Sequence, residues 1–147
     1  MTIEEIQQDI IEEFSVYEDW MDKYSYLIEL GNELDDLPPE EKNDQNLIKG
    51  CQSRVWLVAE KKDDKIEFRG ESDAVIVKGL VALLLRVVSG RTPREIIDNE
   101  LHFIDDLGLK QHLSPTRSNG LLAMVKQIRL YAVAYDRMEK EGGTKNG

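Results

Sequence analysis

The one cysteine of the chain stands in "NLIKGCQSRVW", residues 46 to 56, between Gly50 and Gln52. A cysteine does chemistry as its thiolate, which nearby cations or helix amides stabilise. Lys49 and Arg54 flank Cys51, and Gly50 lets the backbone turn so that successive amides face the sulfur. Cys51 fits equally as a small buried hydrophobe, and the spacing within the segment does not separate the two readings. His112 is the candidate base for a Cys-His pair, set against the plainer reading of a loop or capping residue. Arg117 falls in the first turn of the last expected helix, where free amides and a guanidinium together favour an anion; an ordinary surface arginine fits as well. One cysteine and two histidines are too few ligands for an iron–sulfur cluster or a structural zinc. A G-x-S-x-G elbow, a phosphate-binding glycine loop and a dinucleotide fingerprint are all absent from the sequence, which counts against conventional hydrolases, kinases and dehydrogenases.

The elements that must position these residues follow from periodicity and caps. Thr2 and Glu5 form a capping box before Ile3, Ile6, Ile10 and Phe14, so the spacing predicts a helix over roughly 3 to 14. A second helix is expected from Val16 to Leu34, ended by the prolines of "DDLPPEEKNDQ", which reads as a solvated loop. In "RVWLVAEKKDDKIEFRGES" the period changes to two. Val55, Leu57 and Ala59 share one face, Ile66 and Phe68 return it, and Asp63-Asp64 makes the connection of a β-hairpin. "NLI" is expected as a third short strand, which puts Cys51 in a connection between strands. Ser72 then caps an apolar helix over 74 to 88, with Asp73 in its first turn. Thr92 with Pro93 starts a further helix, "LHFIDDLGL" a short one ending near Gly108, and Ser114 with Pro115 the last. The expected fold class is α+β: a small three-stranded antiparallel sheet packed against helices. Residues 1–141 are expected to form a single domain, and 142–147 a flexible C-terminal tail.

With 147 residues and 41% hydrophobic content the chain suffices for one ordinary core. The 29 acidic against 19 basic residues leave a net charge of -10, which repels nucleic acid and anionic membrane faces at long range. The acidic opening is not a signal peptide, and "AVIVKGLVALLLRVV", broken by Lys78 and Arg86, is too short to span a bilayer. A lone cysteine excludes an intrachain disulfide and fits a reducing compartment, so a cytoplasmic location is expected.

Four segments, "WMDKYSYLIELG" (20 to 31), "NLIKGCQSRVW" (46 to 56), "GESDAVIVKGL" (70 to 80) and "QHLSPTRSNGLLAM" (111 to 124), resemble the SufE family, the sulfur-accepting partners of cysteine desulfurases in iron–sulfur cluster assembly. The resemblance covers roughly residues 10 to 135. It implies a fold similar to that of IscU-type scaffold proteins, a small antiparallel sheet with helices on one side. It also implies that Cys51 accepts persulfide sulfur from a SufS-like cysteine desulfurase and passes it to an iron–sulfur scaffold protein. The chain itself is expected to need no cofactor, since the pyridoxal phosphate belongs to the desulfurase. Arg117 is then the candidate stabiliser of the thiolate or persulfide, and Gly50, Gln52, Ser53, Asp73 and His112 are candidate loop and partner contacts. No independent turnover is expected, and monomer and homodimer both stay open. Two other readings remain beside it: a cysteine-dependent hydrolase or transferase using Cys51 with His112, and a binding module in which Cys51 only packs.

Overall fold

Local rules account for most of the helices. The Thr2–Glu5 capping box opens α1 (Ile3–Ser15), whose face of Ile3, Ile6, Ile10 and Phe14 is buried. Gln7 is buried on the same helix and fully used: its Nε2 donates to the Glu100 carbonyl at 3.1 Å and its Oε1 accepts from the Phe103 amide at 3.0 Å. The second helix, α2 (Trp20–Asn32), starts later than its periodicity suggests. Asp19 takes the cap by accepting from the Asp22 amide, so 16 to 18 become a connection.

The hairpin has the expected register. β1 (Val55–Lys62) and β2 (Lys65–Ser72) are antiparallel, with Leu57 opposite Gly70 and Ala59 opposite Phe68, and Asp63 adopts the positive φ of 58° that a two-residue connection needs. The expected third strand is not a strand. Residues 46 to 48 make one antiparallel bridge, Leu47 to Trp56, held by Ile48 N to Val55 O at 2.8 Å and Leu57 N to Asn46 O at 2.9 Å. Gly50, at φ 94°, swings the chain off the sheet edge before more pairs can form, so the described sheet has two strands. A second single bridge, Ile66 to Arg91, covers the other edge.

Ser72 does not cap the next helix. It remains the last residue of β2, paired with Val55, and its hydroxyl donates to the Arg54 carbonyl. Ala74 stands at the N-cap of α3 (Val75–Val88), and Asp73 lies before the helix rather than in its first turn. Along α3, Leu80, Val81, Leu83, Leu84, Val87 and Val88 are buried, as a helix packed between layers requires. The hairpin lies against one side of α3 and α2 against another. α2 and α3 approach to backbone distance at two glycines: a methyl at Gly79 would stand 2.2 Å from the Leu27 carbonyl oxygen, and one at Gly31 2.7 Å from the Gly79 amide nitrogen. Glu13 ties three helices together. It accepts from Tyr26 at 2.6 Å and from both terminal nitrogens of Arg86, and burial first, then this carboxylate, pushes Tyr26 up to about 12.

The segment "DDLPPEEKNDQ" is not merely solvated. A 3-10 turn (Pro39–Glu41) lets it fold over the outer face of the hairpin: Leu37 is buried, its amide donates to buried Glu71 at 2.7 Å, Lys42 pairs with the same carboxylate at 2.6 Å, and Glu41 takes Arg69. Thr92 and Glu95 form the capping box of α4 (Pro93–Asp98), with Pro93 at the first position as expected. The short helix ends before Gly108 as expected: α5 (Phe103–Asp106) stops there, and beyond Gly108, at φ 75°, a further single turn follows, α6 (Leu109–His112). The long α7 (Pro115–Asn146) packs on α4 and α3 and closes the core with Leu121, Met124, Ile128 and Ala132. The arrangement is α+β, drawn from a computed structural model that describes residues 1–146, with side chains as far as Glu141. The flexible tail expected over 142–147 lies outside these fully described residues.

Candidate functional site

Cys51 sits in the six-residue loop, 49 to 54, that connects the bridge at Leu47 to β1. Each end of the loop is fastened. The entry is held by the Ile48 amide on the Val55 carbonyl. At the exit the Arg54 amide donates to Asp73 Oδ1 at 3.0 Å, the Asp73 amide returns to the Arg54 carbonyl at 3.2 Å, and Ser72 Oγ donates to that carbonyl at 2.9 Å. Asp73 is thus a fastener of the cysteine loop, which explains why it is not spent on the helix end.

Between these anchors the loop lies against α7. A methyl at Gly50 would stand 3.4 Å from Ala123 Cβ, and one at Gly120 3.4 Å from the Cys51 sulfur. The thiol is half-buried and donates to the Gly120 carbonyl at 3.5 Å. Burial pushes the Cys51 thiol up, and no neighbouring charge offsets it. The expected amides are not there to face the sulfur; its one described hydrogen-bond partner is a carbonyl.

The sulfur opens onto a cavity of about 320 Å³. The loop supplies Cys51, Gln52 and Ser53, α3 supplies Val77, and the start of α7 supplies Ser114, Thr116, Arg117, Gly120 and Met124. The structure therefore brings Arg117 to the cysteine across sixty-six positions of sequence. Ser114 is at the start of α7, where its Oγ accepts from the Arg117 amide at 3.3 Å, which orients that first turn. Among the described residues no carboxylate pairs with the Arg117 guanidinium, so the one charged group lining the cavity is available to an anion. Lys49 and Arg54, the flanking cations, do not line it; Lys49 lines a separate groove with Lys126 and Leu130.

His112 is not brought to Cys51. Its ring stacks on Trp20 with centroids 3.9 Å apart, Nδ1 faces the Gly108 carbonyl at 3.0 Å, and it does not line the cavity. This removes the geometry that a Cys-His hydrolase needs. Among the described residues no group of three or more His, Cys, Asp and Glu side chains is placed to hold a metal ion, and no helix is long and apolar enough to cross a membrane. Sequence reasoning passed over Gly120, Thr116, Val77 and Met124. Only Gly120 carried a signal, as a glycine inside a helical pattern that has reason to be there.

Fold and site define an α+β protein with a single thiol, half-buried in a short fastened loop, at a cavity that one cation, Arg117, also lines. A solved structure from Thermus thermophilus, described as the solution structure of a hypothetical protein, has the same fold: TM-score 0.71 over 88% of this chain and 94% of that one, at 19% identity. The family model described as "SufE: Fe-S metabolism associated domain" matches residues 8–132, and the chain belongs to the SufE family.

Proposed function

We propose that the protein is a sulfur acceptor and activator for a cysteine desulfurase, loading sulfane sulfur on Cys51 and passing it to an iron–sulfur scaffold protein. The observation that carries the reading is the placement of the chain's one thiol at a polar cavity lined by Arg117, within a SufE-family domain. The Cys51 thiolate attacks the terminal sulfur of the donor persulfide. A new sulfur–sulfur bond forms at Cys51 as the donor's own sulfur–sulfur bond breaks, and the donor thiolate leaves with the electron pair. No net oxidation occurs, so neither an electron carrier nor a resolving cysteine is required. A second nearby thiol would attack the loaded persulfide, close a disulfide and lose the sulfur as sulfide; this chain has none.

Arg117 is the group we assign to the anion. Its guanidinium, solvent-exposed where it lines the cavity, stabilises the attacking thiolate and then the persulfide anion. Gln52, Ser53 and the fastened ends of the loop present the sulfur to the partner. The protein acts in the cytoplasm without a resident cofactor, and the net charge of -10 steers it toward a basic patch on the desulfurase, with association that weakens as salt rises.

Intact mass after incubation with a cysteine desulfurase and free cysteine tests the reading. Added sulfur on the wild type and none on Cys51→Ser is the expected result, with Arg117→Ala loading about tenfold more slowly, as loss of one charge-assisted contact implies. Equal loading of wild type and Cys51→Ser, or none of either with a competent desulfurase, would overturn it.

A further inference from the structure

A second depression, of about 570 Å³, lies between residues 44 to 49 and α7, and Cys51 does not line it. Lys49, Lys126 and Leu130 are exposed along it, and Asp44 is the one carboxylate that lines it. On α7 the groove continues as a stripe. Leu122, Lys126, Leu130, Val133 and Arg137 recur at spacings of four, four, three and four, so they share one face of the helix. Leu130 is 52% exposed, and Leu122 and Val133 also stand in water. Lys49, Lys126 and Arg137 have no carboxylate partner among the described residues, while Asp136 and Glu139 of α7 are turned to Arg94, Lys140 and Lys61. In a chain of net charge -10 this face has the opposite sign, with apolar side chains set between its cations.

A second copy does not fit this face: it would set Lys126 and Arg137 against their own kind and bring two bodies of charge -10 together. A nucleic acid or an anionic membrane meets that overall repulsion along its whole length, whereas a short protein segment meets only the local field. From the sign of the face and its exposed leucines we infer that the groove and stripe dock an acidic segment with an apolar anchor, carried by the protein that receives sulfur from Cys51. Its carboxylates lie on Lys49, Lys126 and Arg137, and its apolar side chain on Leu130. The recipient fits rather than the donor because Cys51 opens onto the cavity, where the donor persulfide has to arrive, and a segment in the groove leaves that cavity clear. A recipient held there stays beside the loop as the donor departs, which makes hand-over an intramolecular step. In that step a recipient thiolate attacks the terminal sulfur of the Cys51 persulfide. A sulfur–sulfur bond forms on the recipient, the one at Cys51 breaks, and Cys51 leaves as thiolate with the electron pair. The partner's role rests on the sulfur-acceptor reading; the sign and apolar character of the face do not.

Two measurements on the full chain test it, with an iron–sulfur scaffold protein from the same organism as the probe. Calorimetric binding of the scaffold to the unloaded protein needs no sulfur, so its failure is distinct from a failure to load Cys51. Lys126→Glu and Leu130→Asp, both at exposed positions, are each expected to weaken binding about tenfold, as loss of one interface anchor implies, and Lys126→Arg is expected to keep it. Lys62→Glu makes the same change in net charge at the far end of β1 and is expected to stay within twofold of wild type. Loaded protein, freed of desulfurase and mixed with limiting scaffold, is expected to hand over sulfur about tenfold more slowly in the two groove variants, while their loading by a desulfurase matches wild type. No binding by wild type, or binding and hand-over that the groove variants leave unchanged, overturns the docking site. Loading slowed as much as hand-over gives the face to the donor and overturns the assignment. A wild-type dimer that Leu130→Asp abolishes, or wild-type binding to phosphatidylglycerol vesicles that Lys126→Glu abolishes, overturns it as well.

Discussion

The substitution Gly79→Ala isolates the backbone contact on which the helical layer depends. A methyl there would lie 2.2 Å from the Leu27 carbonyl oxygen and 2.8 Å from Leu27 Cγ, whereas ordinary contact begins at about 3.4 Å. The first obstacle is main chain, which no rotamer change can move, so α2 must retreat from α3 by about 1 Å along a close-packed interface. Overpacking of this kind costs about 1–3 kcal/mol, and a backbone obstacle puts it at the upper end. Alanine returns about 1 kcal/mol of helix propensity, so the net loss is about 2 kcal/mol. For a chain of this length that lowers Tm by about 4–8 °C. Gly120→Ala is the internal comparison: the same exchange inside a helix, but its nearest neighbour is the Cys51 side chain at 3.4 Å. It keeps the propensity gain with little of the penalty, and its stability should be unchanged or higher by up to about 1 kcal/mol. Urea denaturation of both variants, with equal m-values, gives the comparison directly. A Gly79→Ala protein as stable as wild type would refute the argument that the glycines let α2 and α3 meet at backbone distance.

Glu71→Ala leaves the buried Leu37 amide without its acceptor and should cost about 1–3 kcal/mol, while Glu71→Gln, which still accepts, should cost less; equal losses in urea unfolding would count against the hydrogen bond as the main contribution. His102 has Glu4 on Nε2 at 2.6 Å and Asp106 on Nδ1 at 2.5 Å, and these hydrogen bonds, Glu4 first, raise its pKa above the ordinary 6.5. Because the folded state holds this proton more tightly, its stabilisation is full below about 6.5 and is lost as pH rises through the raised value. The Tm difference between wild type and His102→Gln should therefore be largest near pH 6 and shrink above it; a difference independent of pH from 5 to 9 would refute the assignment.

Much of what depended on neighbours in sequence was legible from the sequence alone, the Asp19 cap of α2 excepted. The capping box at Thr2, the cap at Thr92 with Pro93, the hairpin about Asp63-Asp64, the apolar α3 and the start of α7 at Ser114-Pro115 follow from rules that act within one segment of chain. The segment that holds Cys51 was equally plain. What only the tertiary structure decided is which distant groups meet. Arg117 shares a cavity with Cys51, whereas His112, though only a turn away from Arg117 along the chain, is turned to Trp20. Ser72 and Asp73 read as a helix cap until the Arg54 backbone claims both, because an edge loop with its own unpaired amides competes for the same oxygens. The third strand failed for a related reason: a positive φ at Gly50 serves the cysteine loop at the expense of the ladder. Gly79 and Gly120 carry no local pattern that tells them apart, yet a methyl at one would run into a neighbouring helix's main chain at 2.2 Å, while at the other it would meet the Cys51 side chain in ordinary contact at 3.4 Å. That distinction is one of packing, which no short window of sequence contains.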